Sequence, residues 1–273
     1  MMKLVIFSDL DGTLLDDRTY TFDPAKEALN RLKDAGIPLV LNSSKTAAEI
    51  IHYRHLMSNK HPFVSENGGG IFIPKGYFKE GPFWIDMEEK DGYDIIVQGT
   101  PYQELRKALE ELKGKGFDIR GFSDISSEEL SDLTGLTEDE AVMAKERDFD
   151  EPVILGKDVD ISLLKRAIRG MGLKYTSGKY LHIIGDNDKG KAVKDLGNLY
   201  TKNHGIITTV GIGDGVNDIP MFLNVDIPIV VRKSDGSHDE TVMEEVIKIR
   251  MSRGIGPKGF NEEINRVIDE YQM

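Results

Sequence analysis

The first third of the chain alternates between short apolar runs and segments with helical spacing. Residues 3–7 form an almost continuously apolar run of strand length, and residues 24–35 carry apolar positions three and four apart. Residues 37–41 and 63–64 are further short apolar runs, separated by an amphipathic segment at 46–57. Strands that alternate with helices of this length predict βαβ units and a parallel sheet.

The alternation of short apolar runs with helical segments ends after residue 70. Residues 71–78 predict a hairpin with its turn at Lys75 and Gly76. From about Trp84 to Gly185 the pattern favours an inserted α+β module with a core of its own, with strands predicted at 93–97, 117–122, 153–155, around Tyr175 and at 180–184, and helices at 102–112, 127–133, 138–147 and 162–171.

The α/β alternation returns after residue 188. It predicts helices at 189–200, 217–223 and 261–271, and strands at 206–212, 227–231 and 246–249. We therefore expect a doubly wound, Rossmann-like parallel-sheet core formed by residues 1–83 and 186–273, with an α+β cap at 84–185 inserted into it. A ligand is expected in the crevice between the core and the cap.

Composition narrows the function without defining it. The 273 residues are 39% hydrophobic and 30% charged, and no apolar run approaches the roughly 20 residues that a membrane span needs. The first residues show no small-residue cleavage site after an apolar stretch, so a cytoplasmic location is expected. Since the chain has no cysteine, disulfides and thiolate metal sites are excluded.

The net charge of the chain limits the classes of binding partner that we expect. A formal charge of -12 disfavours nucleic acid and anionic membrane surfaces, because both reward a basic face. A small-molecule substrate is the expected partner, and the oligomeric state stays open.

Two aspartates directly follow the first predicted strand. Asp9 and Asp11 lie where open α/β sheets bind ligands, with Gly12 behind them to permit a tight turn. Neighbouring carboxylates repel each other unless a cation lies between them or one of them holds a proton. Magnesium binding and general acid catalysis both fit this pair, and a solvated acidic turn is the alternative.

A second acidic loop, with Asp214, Asn217 and Asp218, follows the predicted strand 206–212. Carboxylate loops at one edge of a sheet converge on an oxygen site that suits Mg²⁺. Ser43 follows the second strand and offers a hydroxyl at the same edge. Lys189 opens a helix as the chain re-enters the core, which brings a positive charge to the crevice.

The pairing of "DLDGTL" with "GDGVND", and the order of acid, acid, hydroxyl, lysine and acid, resemble the haloacid dehalogenase superfamily of phosphatases. The resemblance implies that Asp9 is a nucleophile that becomes an aspartyl phosphate, and that Asp11 is the general acid and base. It also implies that Ser43 binds phosphate and that Lys189 stabilises charge.

The same resemblance implies a Mg²⁺ site formed by Asp9, Asp11, Asp214 and Asp218, with Asn217 within reach of the phosphate. Related ion-pumping ATPases carry Thr where this chain has Asp11. The phosphoenzyme is therefore expected to hydrolyse, which favours a phosphatase over a pump.

Four further stretches resemble the mannosyl-3-phosphoglycerate phosphatase family of this superfamily: "SENGGGIFIP" (65–74), "LTGLTEDEAVMAKERDFDEP" (133–152), "YLHIIGDNDKGKAV" (180–193) and "GPKGFNEEI" (256–264). The resemblance implies a phosphorylated glyceryl glycoside as substrate and a cap that selects it. Such a substrate needs a cation for its carboxylate and acceptors for its sugar hydroxyls.

Arg147 suits a bidentate contact with that carboxylate, and Lys45 is a second candidate. Glu151 is a candidate acceptor for sugar hydroxyls, and His182 for a contact from the hinge side. The structural alternatives are an Arg147 that only forms salt bridges within the cap and a His182 that is a hydrogen-bonded strand residue.

Two other enzymatic functions remain open at this point, and a binding or regulatory protein that has kept the fold and lost the activity is a third alternative. One is a broader sugar-phosphate or phosphoglycolate phosphatase with the same core. The other is a phosphotransferase similar to phosphomannomutase, which shares the two aspartates and a related cap.

Overall fold

The computed structural model describes residues 3–81 and 87–271. Within these residues the strands are β1 (Lys3–Ser8), β2 (Leu39–Asn42), β3 (Phe63–Ser65), β4 (Gly70–Pro74), β5 (Glu88–Lys90), β6 (Tyr93–Val97), β7 (Ile119–Gly121), β8 (Asp150–Leu155), β9 (Lys174–Ser177), β10 (Leu181–Ile184), β11 (Ile207–Gly213), β12 (Ile227–Arg232) and β13 (Arg250–Ile255). The α-helices are α1 (Lys26–Asp34), α2 (Ala47–Leu56), α3 (Tyr102–Gly114), α4 (Ser127–Thr134), α5 (Glu138–Ala144), α6 (Ile161–Gly170), α7 (Lys189–His204), α8 (Ile219–Phe222), α9 (Glu240–Glu245) and α10 (Pro257–Tyr271).

The large sheet has the strand order β13-β12-β11-β1-β2-β3-β4-β6-β5. Strands from β13 to β3 run parallel, whereas β4, β6 and β5 pair antiparallel at one side. The central strand β1 lies between β11 and β2, so the two parts of the core are joined at its centre. The predicted doubly wound parallel-sheet core is confirmed.

The uninterrupted apolar sequence of β1 follows from burial on both faces of the sheet. Leu4 and Ile6 pack into one apolar layer with residues of α1, α2 and α10, whereas Val5 and Phe7 pack into the opposite layer with residues of α7. A strand covered on both faces shows no alternation of polar and apolar residues.

The second sheet has the order β7-β8-β10-β9 and is entirely antiparallel. Helices α3 and α6 cover one face and share a separate apolar core with it. This sheet and helices α3 to α6 form the unit that we call the cap. The predicted domain boundaries at residues 83 and 185 stay predictions, and the first of them falls within residues 82–86, including Trp84, which lie outside the described residues.

Three element predictions are wrong. The strand at 93–97, predicted to belong to the inserted module, is β6 and pairs with β4 in the large sheet. The hairpin predicted at 71–78 is therefore also wrong, because β4 pairs with β6 and not with the segment after Lys75-Gly76. The predicted strand at 246–249 is not a strand, since the last strand begins at Arg250. Apolar runs of this length do not reveal their pairing partner, because register depends on distant segments.

Within the described part of the chain, the structure has no helix of the length and apolar character required to cross a membrane.

Candidate active site

The two acidic loops follow the neighbouring strands β1 and β11 and lie at the same edge of the large sheet. Asp9 directly follows β1, and Asp214 directly follows β11, its parallel neighbour. The backbone N–H of Asp9 donates to the carbonyl oxygen of Ile212 at 2.9 Å, which extends the ladder one residue into the loop. The carboxyl ends of parallel strands meet at one edge, so both loops open on the same side of the sheet.

Lys189 lies between two carboxylates of these loops. Its buried Nζ is 2.6 Å from Oδ1 of Asp9 and 2.6 Å from Oδ1 of Asp218. Lys189 is the first residue of α7, which Asp188 caps by accepting hydrogen bonds from two backbone N–H groups at 2.9 Å. The Nδ2 of Asn42, at the end of β2, donates to the Lys189 carbonyl oxygen at 3.2 Å. Helix capping and a neighbouring strand therefore both position this lysine.

The site carries more negative than positive charge. Burial raises the pKa of the Asp9 carboxyl to about 7, although the Lys189 ammonium opposes the shift and Asp218 adds to it. Burial of its carboxyl group and the charges of Asp218 and Asp9 raise the pKa of Asp214 well above its ordinary value. Burial alone would lower the pKa of Lys189, but Asp218 and Asp9 outweigh it, so this pKa is raised. A bound cation would relieve this imbalance.

The donor set fits a divalent cation that prefers oxygen ligands. One carboxylate oxygen each from Asp9, Asp214 and Asp218 lie within 4.8 Å of one another. Asp218 also accepts from the backbone N–H groups of Asp214 and Gly215, at 3.1 and 3.2 Å, so it organises the loop. Across the described residues, no hydrogen bond reaches the Asp214 carboxylate, and Oδ1 of Asp11 is buried without a partner. Such oxygens suit Mg²⁺, which is held by few carboxylates and keeps several waters.

Lys45 positions Asp11. Its buried Nζ is 3.1 Å from Oδ2 of Asp11 and 3.2 Å from Oε1 of Glu49. The ammonium also lies 5.1 Å from the ring centroid of Tyr20. Burial would lower the pKa of Lys45, but the two carboxylates outweigh it and raise this pKa. Lys45 is thus engaged by protein carboxylates and holds Asp11 beside the site.

Ser43 lies at the same edge but beneath the accessible surface. It is fully buried, and its Oγ accepts from the Lys45 backbone N–H at 3.3 Å. Ser44 and Lys45 line the cavity described next, whereas Ser43 is not among its lining residues within the described chain. Its contact with phosphate stays a prediction.

A cavity of about 500 Å³ separates the core from the cap. Its lining includes Asp9, Asp11, Asp214 and Asn217 from the core, and Arg147, Lys179, Tyr180 and His182 from the cap. The acidic site thus forms part of a chamber large enough for a small organic phosphate.

Arg147 and His182 line the chamber with most of their polar atoms already bonded. Arg147 donates from Nη1 to the Ser44 carbonyl oxygen at 2.9 Å and from Nε to the Ala144 carbonyl oxygen at 2.9 Å. His182 Nδ1 lies 2.7 Å from Oδ1 of Asp150. An ionised carboxylate only accepts, so Nδ1 carries the proton and Nε2 remains as the second polar atom of the ring.

Glu151 is not brought to the site. Its side chain is fully buried within the cap, where it accepts from the Ser123 hydroxyl at 3.1 Å and lies 3.8 Å from Arg106. Burial raises the pKa of its carboxyl. In strand β8 successive side chains point to opposite faces, and Glu151 takes the face opposite Asp150, which contacts His182. The expected contact with sugar hydroxyls therefore has no support in this structure.

Sequence patterns did not single out the polar junction between core and cap. Glu66 accepts from the backbone N–H of Phe149 at 2.8 Å, and Asn67 donates to Asp150 at 2.8 Å. Asn217 Nδ2 lies 3.4 Å from Oδ1 of Asn67, which connects this junction to the second acidic loop. Burial raises the pKa of Glu66 to about 8.

Two local sequence patterns do, however, indicate buried polar residues of this region. The segment from Thr46 to Glu49 matches a capping box, in which the residue at the third helical position accepts from the cap, and Glu49 forms this box. The run Asn67-Gly68-Gly69-Gly70 favours left-handed backbone, and Asn67 has a φ of 55°. Asp150 and Asn187 carry no comparable local signal.

Solved structures share this fold. A structure from Streptococcus mutans aligns with a TM-score of 0.69 at 18% identity and covers 98% of this chain and 100% of its own. A phosphatase of the haloalkanoate (HAD) enzyme superfamily from Bacteroides thetaiotaomicron aligns with a TM-score of 0.66 at 16% identity, over 99% of this chain and 96% of its own. At these identities the likeness shows the fold alone.

Sequence relatives are much closer. Residues 6–81 match the haloacid dehalogenase-like hydrolase family. The glucosyl-3-phosphoglycerate/mannosyl-3-phosphoglycerate phosphatase of Methanococcoides burtonii is 43% identical over 270 residues, 98% of this chain and 98% of that protein. The mannosyl-3-phosphoglycerate phosphatase of Pyrococcus furiosus is 36% identical over 250 residues, 90% of this chain and 99% of that protein.

The chain belongs to the haloacid dehalogenase-like hydrolases and, within them, to the family of these two curated phosphatases. The resemblance inferred from the acidic motifs and from the four longer stretches is confirmed.

Proposed function

We propose that this chain is a Mg²⁺-dependent phosphatase that hydrolyses mannosyl-3-phosphoglycerate to mannosylglycerate and phosphate. The observation that carries the proposal is the buried Lys189, held 2.6 Å from both Asp218 and Asp9, of which Asp9 lines a cavity of about 500 Å³. The names of relatives that match almost the whole chain support the choice of substrate.

The reaction proceeds in two displacements. A carboxylate oxygen of Asp9 attacks phosphorus, and the bond from phosphorus to the ester oxygen breaks as that oxygen takes a proton from Asp11. Asp11, now ionised, then takes a proton from a water molecule that attacks the aspartyl phosphate, which releases phosphate and restores Asp9. The ammonium of Lys189 balances negative charge on the phosphoryl oxygens in both steps.

Asp9 and Asp214 are proposed to hold the metal through carboxylate oxygens and Asp11 through its backbone carbonyl oxygen, which leaves the Asp11 carboxyl group for proton transfer. Asp218 is proposed to hold metal-bound waters. When bound, Mg²⁺ supplies positive charge that lets a carboxylate approach a phosphate dianion. The free oxygens of Asp214 and the raised pKa of Asp9 support this assignment, because both describe a site short of positive charge.

The test is a panel of phosphate esters assayed with the purified protein and Mg²⁺. The panel contains mannosyl-3-phosphoglycerate, glucosyl-3-phosphoglycerate, mannose 6-phosphate and phosphoglycolate. We expect a kcat/KM for the two glycosyl phosphoglycerates at least 100-fold above that for the other esters, since binding interactions of about 3 kcal/mol with the carboxylate and the sugar together correspond to that ratio. Chelation of the metal should abolish phosphate release.

Three results would contradict the proposal in different ways. Similar rates on all esters indicate a broad sugar-phosphate phosphatase, and a preference for phosphoglycolate indicates a different substrate in the same reaction class. An isomerised sugar phosphate without free phosphate indicates a phosphotransferase.

A further inference from the structure

Most cations that line the cavity are already neutralised by the protein. Lys45 pairs with Asp11 and Glu49, and Lys233 lies 2.6 Å from Oδ2 of Asp239. Arg147 is buried, lies 3.7 Å from Asp150, and uses Nε and Nη1 for backbone carbonyl oxygens. Lys45, Lys233 and two of the three guanidinium nitrogens of Arg147 are therefore already engaged by protein oxygens.

Lys179 differs from them. It belongs to the short turn 178–180 that joins β9 to β10 in the cap, and it is exposed at the cavity. Its Nζ has only neutral partners, the Thr134 carbonyl oxygen at 3.4 Å and the Tyr20 hydroxyl at 3.5 Å. No carboxylate of the described residues lies within 4 Å of this ammonium.

The aromatic side chain of Tyr20 spans the distance from Lys179 to the acidic site. The ring centroid is 5.9 Å from the Lys179 ammonium and 5.1 Å from that of Lys45, which in turn contacts Asp11. The Tyr20 hydroxyl donates to the Thr134 carbonyl oxygen at 3.1 Å, so this core residue contacts the cap. Lys179 therefore lies across one aromatic ring from Lys45, which contacts the group proposed to protonate the leaving oxygen.

The backbone of Tyr20 supports a functional placement of that ring. Tyr20 has a φ of 52°, which is unusual for a residue with a bulky side chain and costs free energy. The turn is held by its backbone N–H, which donates to the Asp16 carbonyl oxygen at 2.9 Å. The ring also packs beside the cap cluster that contains Phe122.

We propose that Lys179 binds the carboxylate of the substrate's glyceryl group and is the cation by which the cap selects phosphoglycerate esters. The inference rests on the proposed function, because only an ester with a second anionic group needs this cation. In the reacting complex the phosphate lies at Asp9 and Asp11, the glyceryl group passes along Tyr20, and its carboxylate meets the ammonium of Lys179. This replaces the sequence-based assignment of the carboxylate contact to Arg147.

The test compares two substrates that differ only in the carboxylate. These are mannosyl-3-phosphoglycerate and 2-O-mannosylglycerol 3-phosphate, in which a hydroxymethyl group stands in place of the carboxylate. We expect Lys179→Met to lower kcat/KM for the first substrate about 10- to 100-fold, mainly through KM, because a charge-assisted contact of a ligand carboxylate is lost. The same variant should leave kcat/KM for the second substrate within about twofold, and Lys179→Arg should recover most of the loss.

Lys174→Met is the matched control. Lys174 is an exposed lysine at the start of β9 that pairs with Asp186, so its removal should affect neither substrate. Thermal unfolding of each variant checks that the cap stays folded.

The possible failures separate the two proposals. A wild-type enzyme that treats both substrates alike contradicts the proposed phosphoglycerate specificity itself. A wild-type preference for the carboxylate that survives in Lys179→Met overturns only the role of Lys179. An equal loss on both substrates also overturns it, because Lys179 would then act on the sugar or on the packing of the cap.

Discussion

The candidate active site contains carboxylates that the protein buries without enough positive charge. Asp9 and Asp218 share one ammonium, and the Asp214 carboxylate receives no hydrogen bond in the described parts of the chain. Burial costs free energy for each ionised carboxylate, and the protein tolerates that cost where a cation or phosphoryl group can use the oxygens.

Replacement of Asp9 tests the proposed reaction most directly. Asp9→Asn keeps the shape of the side chain and one acceptor oxygen but removes the carboxylate proposed as the nucleophile, so we expect kcat to fall roughly 10⁴-fold or more. Lys189 retains its contact with Asp218, and the fold should survive. Phosphate release from mannosyl-3-phosphoglycerate measures the effect.

Asp23→Asn is the control for this substitution. Asp23 is exposed and pairs with Lys26 away from the cavity, so its replacement should leave kcat unchanged. Phosphate release by Asp9→Asn at more than a tenth of the wild-type rate would remove Asp9 from the reaction.

At the scale of elements, the turn after β3 stores backbone strain at the junction of core and cap. Glu66, Asn67 and Gly68 have φ values of 49°, 55° and 90°, three left-handed residues in succession. Asn187 donates from Nδ2 to the carbonyl oxygens of Glu66 and Asn67, at 3.2 Å each, and so holds the turn against the segment that leads to Lys189. Such strain persists only where the surroundings define the conformation.

This turn leaves no space for a methyl group at Gly68. A Cβ there would lie 2.2 Å from the carbonyl oxygen of Asp188, the residue that caps α7. We expect Gly68→Ala to lower the free energy of unfolding by about 3 kcal/mol or more, since left-handed strain and a backbone clash add. The clash also displaces the start of α7, so kcat should fall. Urea denaturation measures the loss of stability.

Gly76 provides a matched comparison, because its φ is 75° and a Cβ there would meet nothing within 4 Å. Gly76→Ala should therefore cost only the backbone term of about 1–2 kcal/mol and leave kcat unchanged. Equal losses of stability in the two variants would show that the contact with Asp188 is unimportant.

At the scale of the whole molecule, buried polar groups hold the cap against the core. The carboxylate of Glu66 accepts from the backbone N–H groups of Asp148 and Phe149, where the chain passes from α5 to β8. Arg147, between α5 and β8 in the cap, in turn donates to the carbonyl oxygen of Ser44 in the core. These contacts close the chamber on one side and set the position of the cap.

The junction predicts a pH dependence of stability. Burial raises the pKa of Glu66 from 4.5 to about 8, so the folded protein binds a proton that the unfolded chain has released across this range. The contribution of Glu66 to the free energy of unfolding is fully present below about pH 4.5 and is lost as the pH rises through about 8. Glu66→Gln has no titratable group at this position, so its free energy of unfolding should decline less between pH 5 and pH 8 than that of the wild type.

Urea denaturation at a series of pH values checks this expectation. Glu27→Gln, in the exposed first turn of α1, is the control and should follow the wild-type profile. Parallel profiles for the wild type and Glu66→Gln would show that Glu66 is ionised in the folded protein.

Much of the core could be predicted from sequence because local pattern and tertiary role agree there. The apolar runs before Asp9 and before Asp214 are strands buried on both faces, and their carboxyl ends carry the acids. The core of the candidate site therefore followed from strand order alone. The roles of Ser43, Asp11 and the other site residues stay predictions.

The contacts of the cap residues could not be predicted, because each residue in its small sheet can lie on either of two faces. Glu151 and Asp150 are neighbours in β8, yet Asp150 joins the junction with His182 and Glu151 faces Ser123 and Arg106. Which of two adjacent acids faces His182 and the core depends on the register of the strand pairing, which no local pattern encodes. The same reason explains why β6 was assigned to the wrong sheet.

The sequence by itself determined the class of this protein, since two acidic motifs at strand ends and a lysine at a helix start predict a phosphoryl-transfer site that does not depend on the cap. Only the tertiary structure decided which cations are still available to a substrate. Arg147 and Lys45 are occupied by carbonyl and carboxylate oxygens from distant segments, whereas Lys179 is not paired with an acid. Charge pairing acts through space between residues far apart in the chain, so it becomes visible only once the chain is folded.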